Sequence, residues 1–340
     1  MGEVLKKITL NRSKPVNINP EDNFLFKDEY VKVLKKSKVK ILRNIYVDES
    51  KLKKFKYFRI YAKHWRMNPL SFKDKISYLT EDVIHFFKNK KQTHINFISK
   101  ASWVLDSRSF QYFHWFTDAL QRIEVSKKYH HKYPVLLLPG FENIRYIIDT
   151  LDLLNIDYIV LEKKQTYFIK ELVLAERVSP AGNYRKEVIK AISSSLSLER
   201  ENSSKDNIHE RIWVSRQSAD KRRIVNFDEI KKILEEYKFK IIAFEDNYLK
   251  ENIHIMRNCK ILGGIHGAGL TNMMFMNKNA SVIEVRAEGD NKNNCYFSLA
   301  SDLDKNYFYF FAKPSTQNFY NADYYIDPVM FDNFLKENIF

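Results

Sequence analysis

The stretch CKILGGIHGAGLTNMMFMNKNASVIEV, Cys259–Val285, decides the fold of the second half of this chain. An apolar strand runs into a glycine-rich turn, and the pattern beyond it predicts a helix at Gly269–Met276 and a strand at Ser281–Val285. Glycines permit positive φ and a close backbone approach, and a helix N-terminus presents unpaired N–H groups to an anion. The stretch therefore indicates a diphosphate site, although a tight turn used only for packing has the same glycines. It is neither a dinucleotide GxGxxG nor a P-loop.

Several polar residues in this stretch are candidate ligand contacts. His266 ends the first strand, where it could donate to a phosphate or a sugar, and a structural role is the alternative. Glu284 lies in the second strand, and a buried carboxylate there needs a partner, for which two ribose hydroxyls are suitable. The turn and the first helical residues complete the candidate set, with helix capping as the alternative role for its two polar members: Gly267, Ala268, Gly269, Leu270, Thr271 and Asn272.

A second motif, WVSRQSADKRRIVN at Trp213–Asn226, follows a predicted strand. Arg216 comes at the carboxyl end of that strand, and Arg222 and Arg223 precede a helix capped near Asn226. Each arginine alone is typical of a protein surface. Together they indicate an anion site, because a guanidinium group matches the geometry of phosphate oxygens and keeps its charge.

A third motif, YFHWFTDALQRI at Tyr112–Ile123, holds a histidine and an aspartate on one helix face. His114 and Asp118 are four residues apart and therefore neighbours on the helix surface. Either could take a proton from a substrate hydroxyl. A stabilising pair within the helix, or a packed core histidine, is the structural alternative.

Strands and helices alternate along most of the chain, which predicts an α/β fold with parallel sheets covered on both faces. We expect two Rossmann-like domains at residues 1–195 and 205–325, and a closing helix at residues 326–340. Ligands of such folds bind at the carboxyl ends of strands, here at the cleft between the domains. The pattern also predicts a helix at Asp74–Lys90 and a strand near the sheet edge at Phe168–Val178.

Composition narrows the class of protein. Hydrophobic residues make up 44% of the 340 residues, which excludes a disordered chain. A formal net charge of +15 fits nucleic acid, an anionic membrane surface or an anionic small substrate, or only a solvated basic face. Two cysteines cannot form a disulfide framework and fit a reducing compartment. The N-terminal residues lack the apolar stretch of a signal peptide, and no apolar run approaches the ~20 residues that span a bilayer, so we expect a cytoplasmic protein.

The three motifs together resemble glycosyltransferase family 61. The resemblance rests mainly on the SR, RR and N of the second motif, followed by HGAGLTN and VIE. The segment FHWFTDAL matches the N-terminal pattern of the family. One departure is Gln121-Arg122, where a Pro-Arg pair is common. The resemblance implies a two-domain GT-B fold, a nucleotide-sugar donor, inversion at the anomeric carbon and no catalytic metal. The one DxD, Asp302–Asp304, ends a predicted helix and is rejected as a metal site.

The resemblance also implies an activity. We expect transfer of a sugar from a nucleotide-sugar, with uridine diphosphate (UDP) as the family-based nucleotide, to a glycan or lipid-linked glycan in capsule or lipopolysaccharide biosynthesis. Asp118 is the expected base, His114 its neighbour and His266 a third catalytic residue. Peripheral contact with the anionic inner membrane would fit the basic N-terminal third. The rival classes are a nucleic-acid-binding protein, for which no recognition motif is visible, and a Rossmann oxidoreductase, which would need the missing GxGxxG.

Overall fold

The computed structural model describes residues 4–48, 52–54, 59–60, 95–197 and 209–340. The predicted helix Asp74–Lys90 and most of a predicted strand at Phe55–Ala62 lie outside these ranges.

Within the described residues, strands and helices alternate from β7 onward as the sequence predicts. The strands are β1 (Val4–Leu5), β2 (Ile8–Asn11), β3 (Val31–Leu34), β4 (Ser37–Asp48), β5 (Leu52–Lys54), β6 (Arg59–Ile60), β7 (Ile95–Trp103), β8 (Val135–Leu137), β9 (Tyr158–Val160), β10 (Thr166–Ala175), β11 (Arg211–Val214), β12 (Lys240–Ile242), β13 (Ile261–Ile265), β14 (Ser281–Ala287), β15 (Asn306–Pro314) and β16 (Tyr324–Tyr325). The α-helices are α1 (Asn23–Tyr30), α2 (Tyr112–His114), α3 (Leu120–His130), α4 (Arg145–Leu153), α5 (Lys186–Ser197), α6 (Phe227–Glu236), α7 (Leu249–Arg257), α8 (Cys295–Asp302) and α9 (Pro328–Asn338).

The chain divides into two compact units whose limits differ from the domain boundaries expected from the sequence. The first unit contains Met1–Lys7 and Lys35–Ala181, and the second contains Ile8–Leu34 and Gly182–Phe340. Helix α5 therefore belongs to the second unit, although most of it precedes the expected boundary at residue 195. The N-terminal segment 8–34 also joins the second unit, and no periodicity in the sequence indicated that.

The second unit is built on a sheet with the strand order β12-β11-β13-β14-β15-β16. All neighbours from β12 to β15 are parallel, and only β16 pairs antiparallel, at the edge. The five parallel strands thus follow the doubly wound order 2-1-3-4-5, in which the chain reverses its direction of winding between β11 and β13. In open α/β sheets, ligands bind outside the carboxyl ends of the two strands at this switch point.

Close packing explains the glycines of β13 better than backbone freedom does. Positive φ angles occur at Gly140, Gly182 and Gly289, but at none of the glycines in the Cys259–Val285 stretch. Instead, a Cβ added to Gly263 would lie 2.6 Å from Cε3 of Trp213 on β11. The missing side chain lets the indole ring lie against the neighbouring strand.

The segment 8–34 is fixed to the second unit by a buried ion pair. Arg12 donates from Nε to Oδ1 of Asp302 over 3.1 Å and from Nη2 to Oδ2 over 2.7 Å. Its Nη1 donates to Asn183 over 3.0 Å. Bidentate pairing of this kind fixes the orientation of both side chains. Helix α1 follows on the same segment and packs Phe26, fully buried, against Phe297 of α8 with ring centroids 4.9 Å apart.

The first unit contains a mixed sheet, whereas the sequence predicts a parallel one, so the prediction holds for only part of the sheet. The strand order is β6-β5-β4-β10-β7-β8-β9, and β10, β7, β8 and β9 are parallel neighbours. Strand β4 pairs antiparallel with β10, and β5 and β6 extend that side as antiparallel strands. Strand β10 therefore lies inside the sheet and not near its edge. Its burial agrees with that position, since Ile169, Leu172, Val173 and Leu174 are almost fully buried.

Replacement of Gly263 by alanine tests the packing of β13 against β11. We expect Gly263→Ala to lower the free energy of unfolding by about 1–3 kcal/mol, the usual cost of overpacking a core. The double variant Gly263→Ala/Trp213→Phe should lose less than the sum of its single variants, because the smaller ring makes room for the new methyl group. Urea unfolding followed by circular dichroism measures all three. Strictly additive losses would show that the indole contact is not the cause.

Candidate functional site

Two residues of the predicted anion site lie at the switch point of the second unit. Strand β11 ends at Val214 and is followed by Arg216, whereas β13 ends at Ile265 and is followed by His266. The guanidinium group of Arg216 lies against the backbone of Gly267, where an added Cβ would be 2.8 Å from Nη1. Gly267 has an extended backbone with φ of 177°, so its role is to admit the arginine and not to allow a special conformation.

Arg222 reaches the same place from the loop after β11. Its Nη1 donates to the carbonyl oxygen of His266 over 3.0 Å, and its backbone adopts φ of 59°. That left-handed conformation costs a non-glycine residue about 1–3 kcal/mol and is often found at functional sites. Arg216 supports the loop by donating to the carbonyl oxygens of Arg222 over 3.3 Å and Lys221 over 3.2 Å. The structure therefore places Arg216, Arg222 and His266 next to one another.

No carboxylate of the described residues forms a salt bridge with the arginines of this cluster. Among the described residues, no salt bridge joins Arg216 or Arg222 to a carboxylate, and Nε of Arg222 is buried without a hydrogen-bond partner. Burial, and then the charge of Arg222, lower the pKa of Arg216 below its ordinary value. Two guanidinium groups held close together repel each other, and an anion bound between them would offset that cost. The arrangement can thus hold a phosphate or diphosphate.

Glu284 has partners within the protein, which changes the role expected for it. One carboxylate oxygen, Oε1, is hydrogen-bonded to Nδ1 of His266, and the other, Oε2, accepts from the hydroxyl of Tyr307 on β15. The Glu284 residue is 0% exposed. Ribose hydroxyls would suit a buried carboxylate without a partner, but here the protein supplies a partner for each oxygen. Glu284 therefore holds His266 in place.

The segment after Gly267 is helical but of a tighter kind than expected. Ala268–Phe275 forms a 3-10 helix and not an α-helix, and the N–H of Leu270 donates to the carbonyl of Gly267 over 3.0 Å. Leu270 is thus part of the internal hydrogen bonding of the turn. Asn272 donates from Nδ2 to the carbonyl of Gly269 over 2.9 Å, so its side chain supports the turn, and Thr271 is buried beside it.

Arg223 and Asn226 join the arginine loop to the edge of the sheet. Arg223 donates from Nη2 to Asp323 over 3.0 Å, and its side chain is 49% exposed. Asn226 donates to the carbonyl of Ile326 over 2.8 Å and accepts from its N–H over 3.2 Å. Asn226 precedes α6 but forms no side-chain cap there. The structure brings neither residue into the cluster of Arg216, Arg222 and His266.

Sequence analysis missed residues that surround His266. The ring of Tyr296 on α8 lies 4.9 Å from the imidazole, edge to face. Tyr307 and the buried Arg286 lie behind Glu284, and Nη1 of Arg286 is 3.5 Å from the Tyr307 hydroxyl. In the sequence, only Arg286 could have indicated this group, because it is a second charged residue in the mainly apolar strand β14, two residues after Glu284.

In the first unit, the third motif forms an irregular helical turn. Trp115–Ala119 is a π-helical turn between α2 and α3, and such turns are frequent at functional sites. Within it, Oδ2 of Asp118 lies 2.7 Å from Nδ1 of His114, as the four-residue spacing predicts. Both side chains are buried. The other carboxylate oxygen of Asp118, Oδ1, is buried without a hydrogen-bond partner among the described residues.

A buried ion cluster surrounds this pair, and two of its members were not predicted. Asp106 accepts from Nη2 of Arg122 over 2.6 Å and from Nη2 of Arg177 over 2.7 Å. Nη1 of Arg177 lies 3.8 Å from Oδ2 of Asp118. Burial alone would raise the pKa of Asp106, but the two guanidinium groups outweigh it and hold that pKa below its ordinary value. Asp106 and Arg177 are 71 residues apart in the chain, so no local pattern could join them.

The DxD motif is occupied by structural ion pairs. Asp302 is paired with Arg12, and Asp304 with Lys186 over 2.6 Å and with Lys190. Both carboxylates therefore already have cationic partners within the second unit.

Across residues 4–48, 95–197 and 209–340, no group of three or more His, Cys, Asp or Glu side chains is placed to hold a metal ion. No helix in the described part of the chain is long and apolar enough to cross a membrane.

A doubly wound sheet with cationic side chains at its switch point defines a class of α/β protein that binds anionic ligands at strand ends. Comparison with known proteins names the family within that class. The sequence model of the family described as Glycosyltransferase 61 matches residues 112–283, about half of the chain. This chain belongs to glycosyltransferase family 61.

Individual relatives match shorter segments. An EGF domain-specific O-linked N-acetylglucosamine transferase of Bos taurus is 32% identical over 100 residues, which cover 26% of this chain and 18% of that protein. The Xenopus laevis protein of the same name gives the same identity and coverage. Alpha-1,3-arabinosyltransferase XAT2 of Oryza sativa subsp. japonica is 32% identical over 75 residues, 21% of this chain and 12% of that protein. The matched segments thus cover less than a fifth of the length of these relatives.

Acid unfolding tests the ion cluster around Asp106. We expect Asp106→Asn to lower the free energy of unfolding by about 3 kcal/mol at neutral pH, because it leaves buried guanidinium charge without its partner. The folded-state pKa of Asp106 is depressed, so its contribution is complete above the ordinary aspartate pKa of about 3.9 and is lost as the pH falls further. The difference between wild type and variant should therefore shrink on acidification.

Urea unfolding at a series of pH values measures this difference. Asp152→Asn, an exposed aspartate on α4, is the matched control and should change the free energy of unfolding little at any pH. A loss in Asp106→Asn that stays constant from neutral to acidic pH would contradict the assignment of the charge to Asp106.

Proposed function

We propose that this protein is an inverting glycosyltransferase that moves a sugar from a nucleotide-sugar, with UDP as the nucleotide, to a hydroxyl of a glycan acceptor. The observation that carries the proposal is the convergence of Arg216, Arg222 and His266 at the carboxyl ends of β11 and β13. Membership of glycosyltransferase family 61 supports a sugar-transfer reaction. The names of the relatives, an N-acetylglucosamine transferase and an arabinosyltransferase, are consistent with it.

The donor diphosphate would be held by charge and by backbone donors. Arg216 and Arg222 supply positive charge, and neither forms a salt bridge with a carboxylate among the described residues. The N–H groups of Ala268 and Gly269 open the 3-10 helix, where the first donors of a helix have no partner within it. His266 adds a ring nitrogen, and Thr271, Asn272 and Glu284 support this arrangement from behind. No divalent ion is needed in this scheme, since these groups meet the charge of the departing diphosphate.

The reaction would be a single displacement at the anomeric carbon. The acceptor oxygen forms the new glycosidic bond as the bond to the diphosphate breaks, and the acceptor proton passes to a base. Asp118 is our candidate base, because its Oδ1 lacks a hydrogen-bond partner among the described residues and a hydroxyl would provide one. His114, bonded to the other oxygen, fixes the direction of the carboxylate. Preorganised donors at the leaving group supply the electrostatic part of catalysis.

The wider setting of the reaction is also proposed here. A GT-B arrangement would place the first unit on the acceptor side and the second on the donor side. A glycan or lipid-linked glycan of capsule or lipopolysaccharide biosynthesis would be the acceptor. The net charge of +15 supports peripheral contact of a cytoplasmic enzyme with an anionic inner membrane.

Removal of either side-chain donor, Arg216 or His266, tests the site. We expect Arg216→Ala and His266→Ala each to reduce transfer at least ~100-fold, the usual cost of losing one preorganised donor to a developing charge. Release of UDP from a panel of UDP-sugars, with and without a chelator, measures the rate. Lys232→Ala, which removes an exposed charge on α6, is the control and should keep wild-type turnover. Near-normal turnover in either site variant, with an unchanged circular dichroism spectrum, would refute the site.

Replacement of the candidate base separates donor binding from chemistry. We expect Asp118→Asn to reduce transfer about 100-fold or more, because an amide cannot accept the acceptor proton. The affinity for UDP, measured by calorimetry, should not change, since Asp118 belongs to the first unit. Asp152→Asn serves again as the exposed control. Transfer at the wild-type rate in Asp118→Asn would assign the base to another residue.

A further inference from the structure

Glu284 is the centre of a buried hydrogen-bonded chain that ends at His266. Its Oε1 is bonded to Nδ1 of His266, and its Oε2 accepts from Tyr307. Glu284 is 0% exposed and Tyr307 is 3% exposed, so bulk water does not reach the two carboxylate oxygens of Glu284. A carboxylate in such a place must use donors from the protein, and the chain supplies one for each oxygen.

Tyr307 is held by contacts of its own. Nη1 of Arg286 lies 3.5 Å from the phenol oxygen and donates to Oδ1 of Asn294 over 2.9 Å. Asn294 in turn donates to the carbonyl of Leu25 over 2.7 Å. Burial, and then the charge of Glu284, raise the pKa of Tyr307 well above its ordinary value, so the phenol keeps its proton. The hydroxyl is therefore fixed as a donor to Glu284.

This geometry decides which nitrogen of His266 carries a proton. A carboxylate accepts only, so Nδ1 must donate to Glu284, and the other ring nitrogen, Nε2, is then the one that gains or loses a proton. We infer that Tyr307 is a positioning residue: by holding Glu284 it keeps the proton of His266 on Nδ1 and reserves Nε2 for the ligand. The consequence for a phosphate ligand rests on the proposed function, whereas the location of the proton does not.

Other polar and charged groups also face the imidazole ring. Tyr296 contacts its face from α8, Arg222 binds its carbonyl oxygen, and Asp290 acts on it through space. None of these contacts places an acceptor at Nδ1, where Glu284 is bonded. The choice between the two nitrogens is therefore left to Glu284 and its support.

Removal of one hydroxyl group tests the role of Tyr307. In Tyr307→Phe, the buried carboxylate keeps one donor of two, which favours its protonated form. A protonated Glu284 donates to Nδ1, and the proton of the ring then lies on Nε2. Tyr309→Phe is the matched control, because Tyr309 is a buried tyrosine two residues further along β15 whose hydroxyl donates to Asp22 over 2.7 Å. Both variants lose a hydroxyl group that donates to a carboxylate, but only the hydroxyl of Tyr307 supports Glu284.

Nitrogen-15 NMR of histidine-labelled protein gives the readout. The chain contains 9 histidines, and the signals that disappear in His266→Gln identify the ring. We expect Nδ1 to be protonated throughout the titration of His266 in wild type and in Tyr309→Phe, and to lose that proton to Nε2 in Tyr307→Phe. A wild-type ring protonated on Nε2 when neutral would overturn the inference without any variant. So would an unchanged ring in Tyr307→Phe, or the same change in both tyrosine variants.

Calorimetry with UDP measures the consequence for binding. We expect Tyr307→Phe to bind UDP about tenfold more weakly than wild type, the effect of one impaired charge-assisted hydrogen bond, and Tyr309→Phe to match wild type. Equal affinity in all three proteins would remove the link from Tyr307 to the ligand. A wild-type protein that does not bind UDP would count against the proposed function, while the NMR spectra would still decide the role of Tyr307.

Discussion

The close approach of β11 and β13 is the constraint on which the site depends. Three positions on or just after β13 lack a side chain where groups of β11 and its loop pass: Gly263 faces Trp213, Gly269 faces Val214 and Gly267 faces Arg216. A methyl group at any of them would meet those atoms at less than the normal contact distance. With hydrogen in its place, the two carboxyl ends can present an arginine and a histidine side by side. Core packing and ligand geometry therefore share one set of small residues.

Several arginines of this protein fall into two groups, those paired with a buried carboxylate and those bonded to backbone carbonyl oxygens. Asp302 binds Arg12, and Asp106 binds Arg122 and Arg177, so these positive charges are used within the protein. Arg216 and Arg222 instead donate to backbone carbonyl oxygens, which orient a guanidinium group without cancelling its charge. That contrast separates structural arginines from the candidate ligand contacts better than sequence position does. It explains why Arg223, paired with Asp323, stands apart although it follows Arg222 directly.

Sequence patterns predicted what short segments decide and failed where distant segments meet. The alternation of strands and helices from β7 to α9, and the meeting of Arg216 with His266, follow from local periodicity and the common direction of parallel strands. Neither the tyrosine behind Glu284 nor the antiparallel pairing of β4 with β10 has a local signal, because their partners lie far along the chain. For the same reason, the sequence predicts that Glu284 binds ribose, because the tyrosine that the fold brings to it is not visible in the local sequence. The spacing of apolar residues also could not show that the helix after Gly267 has 3-10 and not α-helical hydrogen bonds.

The attachment of segment 8–34 to the second unit has a consequence for how the chain is made. Arg12 leaves the ribosome 290 positions before its partner Asp302. Domains that are continuous in sequence can fold during synthesis, N-terminal part first. Here the second unit stays incomplete until Asp302 has been made, and until then Arg12 lacks its partner. A fragment that starts at residue 182 would therefore lack the arginine that neutralises Asp302, so a shortened version of this unit should carry the first 34 residues as well.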